Sequence, residues 1–200
     1  MLRNLKQFSL PDLEEKVLEF WRVNDIFQKT LAARKGGKTF VFYEGPPYAN
    51  GRPGIHHVLA RVFKDVILRY KTMRGYHVPR RAGWDTHGLP IELEAEKQLG
   101  IKTKREIEKF GLALFNQKAR ESIWHYKDEW ERLTLRIGYW LDLKNAYVTY
   151  ENYYIESLWW ILSEIAKKKL LRKDYKVVPY CPRCQTVLAS HELGMPGVYK

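Results

Sequence analysis

Two adjacent histidines, His56 and His57, follow a loop dense in glycine and proline. The loop runs Glu44-Gly45-Pro46-Pro47-Tyr48-Ala49-Asn50-Gly51-Arg52-Pro53-Gly54, with three prolines and three glycines in eleven residues. Such a composition forces an irregular backbone. The residues before it, TFVFY from Thr39 to Tyr43, are β-branched and aromatic and read as a buried strand. A strand, a permissive loop and a helix N-terminus make a ready anion site. The loop allows close approach, and the first helical turn offers unpaired N–H groups and a positive dipole end. Imidazoles in that turn can donate to phosphate or to a charged transition state. They can equally cap and pack the helix start. Neither GxxxxGK followed by Ser or Thr nor GxGxxG occurs, so no P-loop or dinucleotide fingerprint adds support.

Two further constellations could carry chemistry. Asp85 and His87 flank Thr86 beside Trp84, inside GWDTHGLP from Gly83 to Pro90. Ligands of open parallel sheets bind outside the C-terminal strand ends. An acid placed there can hold an amine, and a histidine can orient it. The bland reading is a turn-capping Asp and a core-plugging Trp. Cys181 and Cys184 form one CxxC, with His191 seven residues beyond Cys184. A thiolate pair at this spacing supplies two ligands of a tetrahedral zinc site, with His191 as a candidate third and no fourth. A redox pair or a purely structural CxxC remains open.

The elements that must position these groups follow from periodicity. Ser9 caps a first helix opened by Pro11, Asp12, Glu14 and Glu15, with Leu13, Val17, Phe20 and Trp21 at helical spacing. Ile55, Val58, Leu59, Val62, Phe63, Val66, Ile67 and Tyr70 predict a helix with a wide apolar face, closed by Gly75. Tyr76 to Pro79 reads as a second strand, and Gly83 to Pro90 as a second sharp loop. This is a βαβ unit with parallel strands. Beyond Pro90 the chain reads as mostly helical to about residue 171, with one long helix from Lys104 to about Arg136. Tyr175 to Tyr180 is strand-like. The last residues, GMPGVYK, look interrupted.

Composition sets the limits. The 200 residues carry a net charge of +12, 45% hydrophobic and 14% aromatic residues, and only two cysteines. Disorder, a disulfide scaffold and a helix of 18 or more apolar residues are thereby disfavoured. The first 21 residues lack the apolar stretch and cleavage site of a secretory signal, so an intracellular protein is expected. The basic excess suits a polyanionic partner or merely a solvated surface.

The segments FYEGPPYANGRP, the histidine pair, and ARVFKDVILRYKTMRGYHVPRRAGWDTHGLPIELEAEK together resemble the amino-terminal part of bacterial isoleucyl-tRNA synthetases, which are class I aminoacyl-tRNA synthetases. The similarity extends from the first helix to YCPRC. GWDTHGLPIE differs from the GTDHAG pattern of valyl relatives and the GWDAFGLP pattern of leucyl ones. The resemblance implies an α/β fold: the first half of a Rossmann-type catalytic domain, with an N-terminal helix and a partial zinc-binding segment. It divides the chain into a helical extension (1–38), half of the catalytic domain with its helical region (39–174), and a partial zinc knuckle leading to an editing insertion (175–200). It implies ATP-dependent activation of isoleucine and transfer to tRNA-Ile by a monomeric, cytoplasmic enzyme that uses Mg2+ and forms no covalent enzyme intermediate.

By the same resemblance His57 and His56 are catalytic. Gly45, Asn50, Gly54, His56 and His57 bind ATP. Gly45, Pro46 and Asp85 bind the amino acid, with Asp85 on its α-amino group. Cys181 and Cys184 hold half of a zinc site. One departure stands out. The family motif His-x-Gly-His is here Gly54-Ile55-His56-His57, with the first histidine and the glycine exchanged. The glycine normally lets adenine lie against the backbone, so His56 is expected to crowd it. The family's KMSKS-type loop and editing domain are absent from these residues. The chain is thus expected to be a fragment that binds ATP weakly, if at all, and does not aminoacylate tRNA. A valyl or leucyl relative, or a non-catalytic nucleotide- or RNA-binding module, are the alternatives.

Overall fold

A computed structural model describes residues 9–49 and 51–194, except for the side chains of residues 191 and 192. Two helices come first: α1 (Leu10–Val23) and α2 (Ile26–Ala32). Ser9 caps α1 as expected, its hydroxyl accepting from the Asp12 N–H at 3.4 Å. There follow β1 (Phe42–Tyr43), α3 (Ile55–Met73) and β2 (Arg80–Trp84), then α4 (Leu89–Leu99), α5 (Lys104–Phe110), α6 (Leu112–Ile123) and α7 (Lys127–Arg136). The chain continues through β3 (Asp142–Val148), α8 (Asn152–Lys167), β4 (Tyr180–Cys181), β5 (Thr186–Val187) and α9 (Ser190–Leu193).

Contacts divide the chain into two units. One runs to Thr86 and resumes over Ile123–Thr149; the other takes His87–Ser122 and the chain from Tyr150 onward. The first unit holds a parallel sheet in the order β1-β2-β3, with Phe42 opposite Arg80, Arg81 opposite Asp142, and Trp84 opposite Val148. The predicted βαβ unit is therefore present, with α3 as its crossover. In the second unit Ala95, Ile107 and Phe115 form a small core, and β4 and β5 pair antiparallel.

Several expectations about elements are corrected. The second strand lies at Arg80–Trp84, and Tyr76 to Pro79 carries only a bridge from Thr39 to His77. Gly83 and Trp84 are thus strand, and Leu89 and Pro90 already helix, so the second loop shrinks to residues 85–88. The long helix from Lys104 is broken at Gly111 (φ 101°) and again around residues 124–126. β3 interrupts the stretch expected to be helical. Residues 175–179 are irregular, and only Tyr180–Cys181 pairs.

The largest correction concerns α3. Its ends are as expected, with Arg74 at the C-cap and Gly75 at φ 90°. Its apolar stripe, however, is not the buried side. Ile55, Leu59, Phe63, Val66 and Ile67 are exposed, whereas Arg61 and Leu68 are buried. The reason lies in what β2 and the neighbouring loops present. Arg80 on β2 is 2% exposed and reaches Asp65 at 3.1 Å and the Thr72 hydroxyl at 2.9 Å. Burial pulls its pKa down to about 10, the paired Asp65 opposing this, so it stays a cation at neutral pH. A buried charge must be paired, and α3 turns its polar stripe inward to pair it. Leu68 then joins Val78, Ala82, Tyr139 and Leu141 in the core beneath.

Candidate active site at the β1–α3 junction

A cavity of about 420 Å3 opens where β1 ends and α3 begins. The chain from Glu44 to Tyr48 forms one side. His57, Ala60, Arg61 and Lys64, one stripe of α3, form the other. Trp130 from α7 closes the end and donates its indole N–H to the Gly51 carbonyl at 2.8 Å. That bond ties the loop to α7.

The start of α3 explains the exchanged motif. Gly54 is the N-cap in an extended conformation, and its N–H donates to His57 Nδ1 at 2.9 Å. Nδ1 is therefore the acceptor, and the neutral ring carries its proton on Nε2. The His57 ring lies edge-on to Trp130 at 4.6 Å and lines the cavity. Its pKa is held below the ordinary histidine value by burial first, then by His56 and Arg61. The His56 ring lies 3.8 Å from that of His57, tilted by 44°; it is exposed and is not part of the cavity wall. It lies against Gly54 instead: a Cβ there would sit 2.8 Å from His56 Cε1. Glycine at 54 and histidine at 56 are thus a matched pair, since the side chain moved to 56 occupies the space left at 54.

Glu44 anchors the wall. It is 2% exposed, and its carboxylate accepts from Lys64 Nζ and, at 2.5 Å, from the Tyr139 hydroxyl. Its carbonyl accepts from the Tyr147 hydroxyl. Burial, then the bond to Glu44, raises the Tyr139 pKa far above the ordinary tyrosine value, so Tyr139 acts as a fixed donor. Gly45 and Pro46 follow directly and line the cavity. Asp85 meets the same loop from the neighbouring strand. Its N–H donates to the Pro47 carbonyl at 3.0 Å, and it forms a parallel bridge with Tyr48. Thr149 Oγ1 donates to Asp85 Oδ1 at 3.4 Å. The two loops singled out in the sequence are therefore brought together at the C-terminal ends of adjacent parallel strands, with Asp85 beside the cavity rather than in its lining. Asn50 lies outside the described residues, and His87 begins the second unit.

Glu44, Arg61, Lys64 and Trp130 escaped the sequence reading. The available signal was the polar stripe of α3: His57, Arg61 and Lys64 recur at offsets that place them on one face. In the second unit Cys181 and Cys184 lie on the β4–β5 ribbon, and the Cys184 N–H donates to Cys181 Sγ at 3.4 Å. That bond is the main cause holding the Cys181 pKa below the ordinary thiol value, while burial raises that of Cys184. A thiolate stabilised by an amide N–H suits a metal ligand. Two cysteines fit half of a tetrahedral set, and no group of three or more His, Cys, Asp or Glu side chains gathers among the described residues.

The chain is similar to known proteins along nearly its whole length. The chain is 57% identical to an isoleucine–tRNA ligase of Thermus thermophilus, which it matches over 100% of its own length and 20% of that protein. It is 56% identical to one of Dehalococcoides mccartyi over 93% of the chain and 18% of the relative. It is 57% identical to one of Streptomyces coelicolor, with 96% and 19% covered. The chain thus spans about a fifth of the length of these curated relatives. Among solved structures, a ternary complex of Agrobacterium radiobacter LeuRS with tRNA and LeuAMS matches with a TM-score of 0.55 and 27% identity, covering 90% of this chain and 20% of that one. The parallel α/β unit is consistent with the first half of a Rossmann-type catalytic domain. The description "tRNA synthetases class I (I, L, M and V)" matches residues 16–198, and the chain belongs to that family.

Proposed function

We propose that these residues form the first part of the catalytic domain of an isoleucine–tRNA ligase. The observation that carries this is identity of 51–57% to isoleucine–tRNA ligases along nearly the whole chain, against 27% to the leucyl structure. In this reading a carboxylate oxygen of isoleucine attacks the α-phosphorus of ATP. Pyrophosphate leaves, and isoleucyl-adenylate forms. A terminal ribose hydroxyl of tRNA-Ile then attacks the carbonyl carbon, and AMP leaves. The Gly45–Pro46 wall takes the apolar side chain, and the Asp85 carboxylate takes the ammonium group. His57 Nε2–H, held by the Gly54 N–H, donates to phosphate oxygens over the N-terminus of α3. Mg2+ would screen the triphosphate. Zinc, where bound, would supply a structural crosslink through Cys181 and Cys184. The proposed organisation is a helical extension (1–38), half of the catalytic domain (39–174) and a partial zinc knuckle (175–200), in a cytoplasmic, monomeric enzyme.

The test is ATP–pyrophosphate exchange in the longest natural polypeptide that contains this chain, with isoleucine, valine and leucine as substrates. Isoleucine is expected to be preferred. His57→Ala is expected to lower exchange by about 10²–10³-fold, the loss typical of removing one transition-state donor. His56→Ala is expected to cost less than about tenfold, because its ring lies outside the cavity. Near-normal exchange after His57→Ala, or a preference for leucine, would refute this reading.

A further inference from the structure

The stripe of α3 that faces the cavity contains a buried cation whose hydrogen bonds are incomplete. Arg61 is 6% exposed, yet its Nε and Nη1 atoms are buried without a hydrogen-bond partner. Buried guanidinium groups are normally paired, because the lost hydration is costly unless an acceptor replaces it. Glu44 acts on Arg61 through its charge but accepts no hydrogen bond from its Nε or Nη1; its oxygens accept from Lys64 and from Tyr139. Trp130 lies with its ring 4.8 Å from the guanidinium carbon. A ring face attracts a cation, but it does not accept the in-plane N–H groups. Of the cations lining the cavity, Arg52 pairs with Glu129 at 3.4 Å and Lys64 with Glu44, which leaves the Arg61 guanidinium as the lining charge that favours an anion there.

We infer that Arg61 is a ligand-binding residue of this cavity, completing its hydrogen bonds with an oxyanion of a bound reactant: a phosphoryl oxygen of the nucleotide or the carboxylate of the amino acid. The inference deepens the function proposed above and rests on it for the identity of the reactants. The spacing supports it. Arg61 stands one turn after His57 on the same face of α3, so the His57 Nε2–H and the guanidinium edge line the same cavity. A charge-assisted pair of this kind gains its strength from the same exclusion of water that leaves Arg61 unsatisfied in the free protein.

The experiment uses the longest natural polypeptide that contains this chain, labelled with 15N-arginine. Buried Arg61 should give a slowly exchanging Nε–H resonance, assigned by its loss in Arg61→Lys. The polypeptide is titrated separately with AMP, adenosine, inorganic pyrophosphate and isoleucine at millimolar concentration. AMP and pyrophosphate are expected to move the Arg61 resonance downfield, and adenosine is not. Arg61→Met is expected to weaken AMP by about tenfold or more, the size of one charged hydrogen bond, while leaving adenosine unchanged. A shift produced by isoleucine and not by AMP would assign the same subsite to the carboxylate. Stability supplies an independent readout. Removing an unsatisfied buried charge should leave the melting temperature of Arg61→Met at or above that of the unaltered polypeptide. A melting temperature several degrees lower, or an Arg61 resonance that no oxyanion moves, would overturn the inference. The two failures are separable. Nucleotide binding indifferent to Arg61→Met removes the subsite and spares the synthetase reading. Arg61-dependent pyrophosphate binding to which neither adenosine nor isoleucine adds affinity does the reverse.

Discussion

His57 shows how a single residue is set to its task by its neighbours. The Gly54 N–H fills Nδ1, so a proton can add there only by breaking that bond and placing two donors face to face. Burial, His56 and Arg61 act in the same direction and lower its pKa. The sign follows. In the unfolded chain histidine titrates near its ordinary value, about 6.5. The folded ring takes up its proton only at lower pH. Between the two values the unfolded state binds more protons, so this group's contribution to stability is intact above about pH 6.5 and is lost as pH falls through the folded value. NMR titration of the ring is expected to give a midpoint below the ordinary value, and His57→Gln is expected to flatten the acid limb of the stability profile. A midpoint at or above the ordinary value would contradict this account.

At the scale of elements, the junction of α3 with the sheet rests on a polar lock rather than on apolar packing alone. Asp65 bridges Arg69 at 2.6 Å and Arg80 at 3.1 Å, with Arg80 almost wholly buried. Asp65→Ala strands that charge and is expected to cost about 3–5 kcal/mol in urea unfolding, whereas adding Arg80→Met should recover most of the loss. An additive double variant would rule out the lock. The β2–β3 pair has its own constraint at Gly83. A Cβ there would lie 2.3 Å from the Tyr147 ring, whose hydroxyl reaches the Glu44 carbonyl. Gly83→Ala is expected to destabilise by about 1–3 kcal/mol and to weaken ligand binding at the cavity, because it displaces the residue that steadies the Glu44–Pro46 wall. Unchanged stability and binding would show that Tyr147 is dispensable.

For the whole molecule, the outward face of α3 is the unusual feature. Phe63 is 66% exposed and Ile67 53%, in a stripe that continues through Val66 and Tyr70. Contiguous exposed apolar surface favours association. In sedimentation experiments the 200-residue chain is expected to self-associate with rising concentration. Phe63→Glu together with Ile67→Lys is expected to suppress association while changing stability by less than about 1 kcal/mol, as for surface positions. A large loss of stability would mean that this face is packed. No helix among the described residues is long and apolar enough to cross a membrane, so α3's stripe is not a spanning segment.

Local chemistry made part of this protein legible in its sequence. The Ser9 cap, the Gly75 stop and the loop forced by Pro46, Pro47 and Pro53 depend on residues within a few positions of one another, so spacing alone determined them; the order of the βαβ unit was legible too, but its second strand lies at Arg80–Trp84 rather than Tyr76–Pro79. The loop from Gly45 and the histidine pair were visible for the same reason. Tertiary structure decided the rest. β3, with polar Asp142, Lys144 and Asn145, becomes a strand only because β2 offers it a ladder. The inward face of α3 was decided by a buried arginine on β2, and hydrophobic periodicity carries no information about a partner's charge. Glu44, Arg61 and Trp130 come from three distant stretches of chain. They line one cavity from different sides because the fold removes all three from water, and pairing, ring contacts and unsatisfied hydrogen bonds arise only once that water is gone.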